Sequence, residues 1–289
     1  MKTRTLLEVD VFGLKPLQGN GLAVVLDADG LSTERMQDFA RWTNFSETTF
    51  IQRPTQFGAD YRVRIFTPRT ELPFAGHPSI GSAFAMLWNR RIGARQKQVV
   101  QECGAGLMPL RAIGNLSDRQ YLVQAPSPKI TPVDPAEAER ICSALGCASR
   151  PVQHVNVGAK WLVLDLEQAD QVLALRPNFS ALAALSNDGG ATGVTVFGSY
   201  GRKSADQYEV RSFAPADGID EDPVCGSGNA SVAAVLQAAA KQPRFTTAYA
   251  ARQGRACHRD GRVQVQIHAD RRIEIGGGAF LISEGQVRL

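Results

Sequence analysis

Arg64-Ile65-Phe66-Thr67-Pro68 leads through Glu71-Leu72-Pro73-Phe74 into Ala75-Gly76-His77-Pro78, and Arg211-Ser212-Phe213-Ala214-Pro215 leads through Glu221-Asp222-Pro223-Val224 into Cys225-Gly226-Ser227-Gly228. The two Arg-x-Phe-x-Pro starts lie 147 residues apart in a chain of 289. A motif repeated at half the chain length marks a duplicated domain. In each copy a strand-like segment ends in a glycine turn and an alanine-rich stretch follows, Ser79 to Leu87 in the first and Asn229 to Ala240 in the second. Both stretches read as helices, so each glycine turn sits at a helix N-terminus. Free backbone N–H groups and the positive end of the helix dipole make such a turn a seat for an anion. Two of them facing each other would hold one carboxylate.

Outward from the motifs, strand signals alternate with short turns. Glu8 to Phe12 and Leu22 to Leu26, joined through Gly19-Asn20-Gly21, read as a hairpin. Ser32 reads as the N-cap of a helix with Met36, Phe39, Ala40 and Thr43 on one face. Asn44 to Thr49 is a polar connector before strand-like Phe50-Ile51, and Val99 to Gln101, Leu107 to Arg111 and Tyr121 to Gln124 add strands. Ala125-Pro126-Ser127-Pro128 is the linker candidate.

The second half repeats the layout. Asp134, Pro135 and Glu137 open a helix that Gly146 closes, further helices start near Glu167 and at Phe179, and Trp161 to Leu166 and Gly193 to Phe197 read as strands. Val263 to Ile267 and Arg272 to Ile275 alternate as half-buried strands, and Gly276-Gly277-Gly278 leads to a last strand from Ala279. The expected organisation is α+β in two halves. Residues 1–124, joined by the C-terminal strand at about 279–289, form the first, and residues 125–278 the second.

Hydrophobic residues at 44% and charged ones at 21% fit a globular chain, and no apolar run approaches the roughly 18 residues of a membrane span. Glu8 and Asp10 interrupt what would be the apolar region of a secretory signal, so a cytoplasmic protein is expected. The net charge of +4 comes from scattered arginines, which argues against nucleic acid and suits an acidic small molecule. Five cysteines form no paired framework, and Cys142 and Cys147 lack the further ligands of a zinc finger. Neither a metal nor a cofactor is expected, since no Gly-x-Gly-x-x-Gly after a strand and no P-loop is present.

Asn44-Phe45-Ser46-Glu47-Thr48, Glu71 to Pro78 and Glu221 to Ser227 together resemble the three signature stretches of the PhzF family, the phenazine biosynthesis-like isomerases. The resemblance spans essentially the whole chain. Asp10-Val11-Phe12, the Gly19-Asn20 turn, Arg211 to Pro215, Arg252-Gln253-Gly254 and Gly276-Gly277 also stand where that family has recurrent features. It implies a diaminopimelate-epimerase-like fold of two pseudo-symmetric domains, each a rolled mixed β-sheet around a central helix, with the active site in the inter-domain cleft. It further implies a homodimer and a cofactor-independent isomerase that moves a proton on a small carboxylated substrate. The family's type member acts on trans-2,3-dihydro-3-hydroxyanthranilate. By position Glu47 matches the family's general acid/base, His77 and Asp222 match its polar partners, and Gly76, Gly226 and Ser227 match the groups that bind the substrate carboxylate. Abstraction from carbon suits a carboxylate desolvated beside Phe45 and Phe50.

The residues alone leave other readings open. Glu47 also reads as a solvated connector acid, His77 before Pro78 as a helix cap, and Asp222 before Pro223 as a turn former. Arg64 and Arg211 read as fold-stabilising because they recur in both copies. Two departures from the family pattern stand out. Gly21 replaces a usual proline, a change expected to alter only the stiffness of a turn. Cys225 replaces a frequent threonine and gives the Cys-Gly-Ser-Gly form of epimerases and racemases of the same fold. An epimerase using Cys225 with a carboxylate partner is therefore the alternative, although Ala75 stands where a second thiol would be. A non-catalytic small-molecule binding protein is the third reading.

Overall fold

The computed structural model describes residues 1–93, 96–114, 119–201, 203–239 and 248–289. The chain divides into two compact units, Met1–Gln124 with Gly276–Leu289, and Ala125–Ile275.

In the first unit β1 (Thr3–Val11) and β2 (Asn20–Val25) pair antiparallel, with Asp10 opposite Gly21 and Val11 opposite Asn20. Helix α1 (Thr33–Thr43) starts where the Ser32 side chain accepts the Arg35 N–H and stops at Asn44, which takes the left-handed conformation. β3 (Glu47–Gln52) runs parallel to β2 and antiparallel to β4 (Tyr61–Phe66), whose end pairs with β5 (Glu71–Leu72). Helix α2 (Gly76–Trp88) follows, then β6 (Gln98–Cys103) parallel to β4, with β7 (Gly106–Ile113) and β8 (Gln120–Gln124) antiparallel in turn. The C-terminal strand (Ile273–Arg288) pairs with β1 and with β8 and closes the mixed sheet into a ring. Helix α2 packs against β1, β2, β3, β4, β6, β7 and β8, so it fills the ring. Its small residues allow this. A Cβ on Gly81 would stand 2.4 Å from Leu22 Cδ2.

The second unit has the same plan. β9 (Lys129–Pro132), helix α3 (Pro135–Leu145), β10 (Val152–Val157) and β11 (Ala159–Gln168) are followed by helices α4 (Ala169–Ala174) and α5 (Phe179–Asp188). Then come β12 (Gly193–Ser199), β13 (Tyr208–Ala214), β14 (Ile219–Asp222), helix α6 (Gly226–Ala238), β15 (Ala248–Gln253) and β16 (Gly261–Ile267). β9, β10 and β11 pair antiparallel, β12 lies parallel to β11, and β13 lies antiparallel to β12 and parallel to β15. Helix α6 packs against β10, β11, β12, β13 and β16 and is the central helix here. Helices α3, α4 and α5 lie against an apolar cluster that includes Ile141, Leu145, Leu164, Val172, Leu182 and Phe213. No helix among the described residues is long and apolar enough to cross a membrane.

Several local expectations change. The strand expected over Arg272 to Ile275 begins at Ile273 and is continuous with the segment from Ala279, because Gly276 is extended and lies so close to β8 that a Cβ would stand 2.2 Å from the Tyr121 carbonyl oxygen. Glycine there permits close approach and does not break the strand. Glu167 belongs to β11, with left-handed φ of 64°, and helix α4 starts two residues later. Helix α6 already starts at Gly226; Ala240 lies outside the described residues. Gly21 is inside β2, and a Cβ on it would stand 2.9 Å from the Phe45 ring. Its consequence is therefore steric: the Phe45 ring occupies the space that a side chain at position 21 would need.

Candidate active site

Alternation along β3 decides which way Glu47 points. Thr49 turns toward α2, where its hydroxyl accepts from Ser82 at 3.0 Å. Thr48 and Phe50 turn the other way: Thr48 Oγ1 lies 3.0 Å from Thr43 Oγ1 of α1, and Phe50 packs edge-on against Phe39 and Phe66. Phe50 therefore does not desolvate Glu47, contrary to the expectation from adjacency in the chain. Glu47 shares the face of Thr49, and its Oε2 makes a 3.1 Å hydrogen bond with His77 Nδ1. The side chains are 15% and 4% exposed respectively. Glu47 is no solvated connector acid.

His77 does not cap its helix. Ala75 is the N-cap of α2 and offers no side-chain acceptor, and the first turn carries no acid. Helices α1, α3 and α5, by contrast, are capped by the side chains of Ser32, Asp134 and Asn178. The N–H groups at Gly76 and His77 thus begin a helix without competition from a cap, the condition for receiving an anion. A buried chain holds that start in place: Tyr61 donates to Gln101 at 3.2 Å, Gln101 to Ser79 at 2.7 Å, and Ser79 to the Ala75 carbonyl at 2.7 Å.

In the second unit Asp222, Cys225, Gly226 and Ser227 meet at the start of α6. Asp222 Oδ1 accepts the Val224 N–H at 3.2 Å, so the turn-forming role of this residue is real. Gln253 fastens the turn: its Oε1 accepts from the Cys225 N–H at 3.1 Å and from Asn229 at 2.8 Å, while its Nε2 donates to the Asp222 carbonyl at 3.0 Å. Cys225 caps α6 with sulfur, which accepts the Gly228 N–H at 3.3 Å. Burial, then the nearby Asp222 charge, pushes this thiol well above its ordinary range. It is a neutral thiol, a poor base. Ser227 Oγ accepts from Trp161 Nε1 at 3.0 Å and shares a 3.6 Å hydrogen bond with the Cys225 sulfur in which either group can donate.

The structure therefore brings the expected residues together as two groups, Glu47 with Gly76 and His77, and Asp222 with Cys225, Gly226 and Ser227. Sequence reading missed their supports. Gln253 had a signal in Arg252-Gln253-Gly254. Asn20, whose Oδ1 accepts from Ser46 beside Glu47, had one in the Gly19-Asn20 turn, while Trp161, Asn229 and Gln101 had none, because each acts through a partner distant in sequence. Among the described residues no group of three or more His, Cys, Asp or Glu could hold a metal ion.

Comparison with known proteins agrees in kind. The PhzC-PhzF family model, described as phenazine biosynthesis-like protein, matches residues 9–285. The chain is 38% identical over 298 residues to antisense-enhancing sequence 1 of Schizosaccharomyces pombe, covering 99% of each chain. It is 35% identical over 223 residues to trans-2,3-dihydro-3-hydroxyanthranilate isomerase of Pseudomonas aeruginosa, covering 76% of this chain and 74% of that one. The crystal structure of a PhzF-family phenazine biosynthesis protein from Bacillus anthracis superposes with a TM-score of 0.86 at 25% identity over 100% of both chains.

Proposed function

This chain belongs to the PhzC-PhzF family of phenazine biosynthesis-like proteins, and from that premise we propose that it is an isomerase moving a proton between carbons of a small carboxylated substrate, without a cofactor. The observation that carries the reading is the hydrogen bond between Glu47 and His77 at the uncapped start of α2. Glu47 is the general acid/base. Its carboxylate takes a proton from a carbon next to a conjugated system, the electron pair spreads toward the substrate carboxylate, and the protonated Glu47 returns the proton to another carbon. Helix-terminal N–H groups at Gly76 and Gly226, with the Ser227 hydroxyl, hold the substrate carboxylate, and His77 and Asp222 orient the reacting end. That both helix starts serve one substrate is part of the proposal. The name of the Pseudomonas aeruginosa relative supports trans-2,3-dihydro-3-hydroxyanthranilate as the first substrate to try.

Cys225 is not given the base role, because its burial favours the thiol over the thiolate. The test is proton NMR of that compound in deuterated buffer with wild type and Glu47→Gln. Conversion with solvent deuterium entering the product, by the wild type alone, is expected. Conversion by both proteins would remove Glu47 from the mechanism. Binding without conversion or exchange would favour a binding protein.

A further inference from the structure

The proposed reaction engages α2 at its N-terminal end, and the other end of the same helix faces a second hollow. Helix α2 runs from Gly76 to Trp88, so at 1.5 Å per residue Phe84 and Trp88 stand about 12 and about 18 Å along its axis from the glycine start. Beside them the C-terminal strand changes partner: Gly276 lies against Tyr121 of β8, whereas Ala279 and the residues after it pair with β1. A cavity of about 620 Å³ occupies this place, within the size range of small-molecule sites. Its lining includes Leu14, Phe84, Trp88, Arg119, Tyr121 and Phe280, all of the first unit, and none of Glu47, Gly76 and His77.

The walls are aromatic. Phe84 and Trp88, one helical turn apart, stack at 5.8 Å with 25° between their planes, and Tyr121 meets Phe84 edge-on at 6.2 Å. Trp88 nevertheless stays 52% exposed and Leu14 57%, so an indole and an apolar loop tip are left open to a planar ring. One wall is charged. Arg119 brings a guanidinium whose Nε is buried without a hydrogen-bond partner, and among the described residues no Asp or Glu lines the cavity. A buried donor of a charged group is costly to leave unpaired, and a ligand acceptor satisfies it.

We propose that this cavity is a second binding site, for a planar aromatic monocarboxylate whose ring lies against Trp88 and Phe84 and whose carboxylate takes the Arg119 guanidinium. A carboxylate matches the fork of one guanidinium with its two oxygens and its single charge. A phosphate ester would bring a second charge that no other cation among the described lining residues meets. A neutral ring would leave the Arg119 Nε unpaired. The inference goes beyond the proposed isomerisation, and its test needs no turnover.

Full-length protein labelled with 15N-tryptophan has three indole N–H groups, of Trp42, Trp88 and Trp161. The first two signals are assigned by their loss in Trp42→Phe and Trp88→Phe, and the third by elimination. Trp88 reads the cavity, Trp161, which donates to Ser227, reads the start of α6, and Trp42 of α1 reads neither. The signals are followed while 2-naphthoate and, separately, the uncharged 2-naphthamide are added. The acid is expected to shift Trp88 saturably. Both 2-naphthamide with the wild type and 2-naphthoate with Arg119→Gln are expected to bind about 10-fold or more weakly, since each lacks one partner of the ion pair. Trp42 and Trp161 signals at their wild-type positions report that Arg119→Gln is folded. Should that variant fail to fold, the ratio of acid to amide affinity on the wild type decides. A Trp88 signal unmoved at millimolar 2-naphthoate, equal affinities for acid and amide, or movement of Trp161 alone would each overturn the proposal. So would a Trp88 signal that shifts with protein concentration in the absence of ligand, the mark of a second copy seated on this face. Absence of turnover with the trial substrate would instead touch the isomerase reading and leave this titration standing.

Discussion

In the first unit Arg64 forks onto both oxygens of Glu71, at 2.7 and 2.6 Å, with its guanidinium 5.1 Å over the Phe66 ring. In the second Arg211 forks onto Glu221, at 2.9 and 2.7 Å, with its guanidinium 5.0 Å over Phe213. The device is the same and its setting is not. Arg64 and Glu71 remain partly exposed, whereas Arg211 is buried with Glu221 only 9% exposed, and Arg211 also donates to the carbonyls of Val172 and Leu175. The motif behind the duplication is thus structural in both copies, a brace between the last strand and the turn before the central helix.

Chemistry enters where the copies differ. Phe66 pairs with Thr48 and Phe213 with Val194, so the residues just before, Glu47 and Gly193, occupy matching sites. A Cβ at Gly193 would stand 2.0 Å from the Phe213 carbonyl oxygen, which leaves no room for any side chain there. Further along, Ala75 matches Cys225 and His77 matches Ser227. One copy kept a carboxylate and an imidazole; the other kept a glycine, a neutral thiol and a hydroxyl. Duplication supplied two helix starts, and divergence left the paired carboxylate and imidazole at the first.

The comparison is sharpened most by Glu47→Gln, expected to lower solvent exchange and conversion by about 10²- to 10⁴-fold while ligand binding survives. Exchange at the wild-type rate would break the assignment of the base to the first copy. Next is the brace. Arg211→Met leaves the nearly buried Glu221 carboxylate unpaired and is expected to cost about 3 kcal/mol, whereas Arg64→Met, with Glu71 37% exposed, is expected to cost about 1 kcal/mol. Urea denaturation of the two variants side by side measures the difference, and equal losses would mean that burial does not distinguish the braces.

The two central helices give a smaller contrast. A Cβ on Gly228 would meet Ser212 Oγ at 2.4 Å and Thr195 Oγ1 at 2.9 Å, two hydroxyls already 3.0 Å apart. One on Gly81 would meet the end of the flexible Leu22 side chain. Gly228→Ala is expected to cost about 1–3 kcal/mol in thermal or urea unfolding and Gly81→Ala less; the reverse order would show α2 to be the more tightly enclosed helix.

Alkaline pH should separate the units more gently. Burial pushes Cys147 up to about 11, Cys257 up to about 12 and Cys225 well above the ordinary range, all in the second unit, while in the first it raises Cys103 alone among the thiols. A thiol whose folded pKa is raised contributes full stability below its unfolded value, near 8.5, and loses it as the pH rises toward the folded value. Stability is therefore expected to fall above about pH 9 by up to about 1.4 kcal/mol per unit for each such thiol. Cys257→Ala is expected to shallow that fall when urea unfolding is repeated between pH 8 and 10, and an unchanged slope would remove Cys257 as a cause.

Much of this was legible in the chain because it is written in local rules. The paired motifs gave the duplication, Ser32 and Asp134 gave helix starts, Gly146 gave a helix end, and the glycines at 76 and 226 marked the starts of the central helices. Capping, left-handed ends and helical periodicity act within a few residues, so neighbouring letters suffice. The signature stretches named the candidate residues by family resemblance, since local rules alone read Glu47, His77 and Asp222 as connector acid, helix cap and turn former.

What the tertiary structure decided is direction and depth. Phe50 and Glu47, three apart in sequence, point to opposite faces once they are in a strand. Gly276 extends a strand because Tyr121 lies against it, and Gly21 faces Phe45. The Arg211 brace is buried and the Arg64 brace is not, although both have the same letters. The Glu47–His77 bond joins residues thirty apart, and the Phe12 ring comes beside His77 from the end of β1. Whether a side chain meets a partner, a backbone or water depends on which strand is laid beside it, and that choice is made by the packing of the whole unit around its central helix.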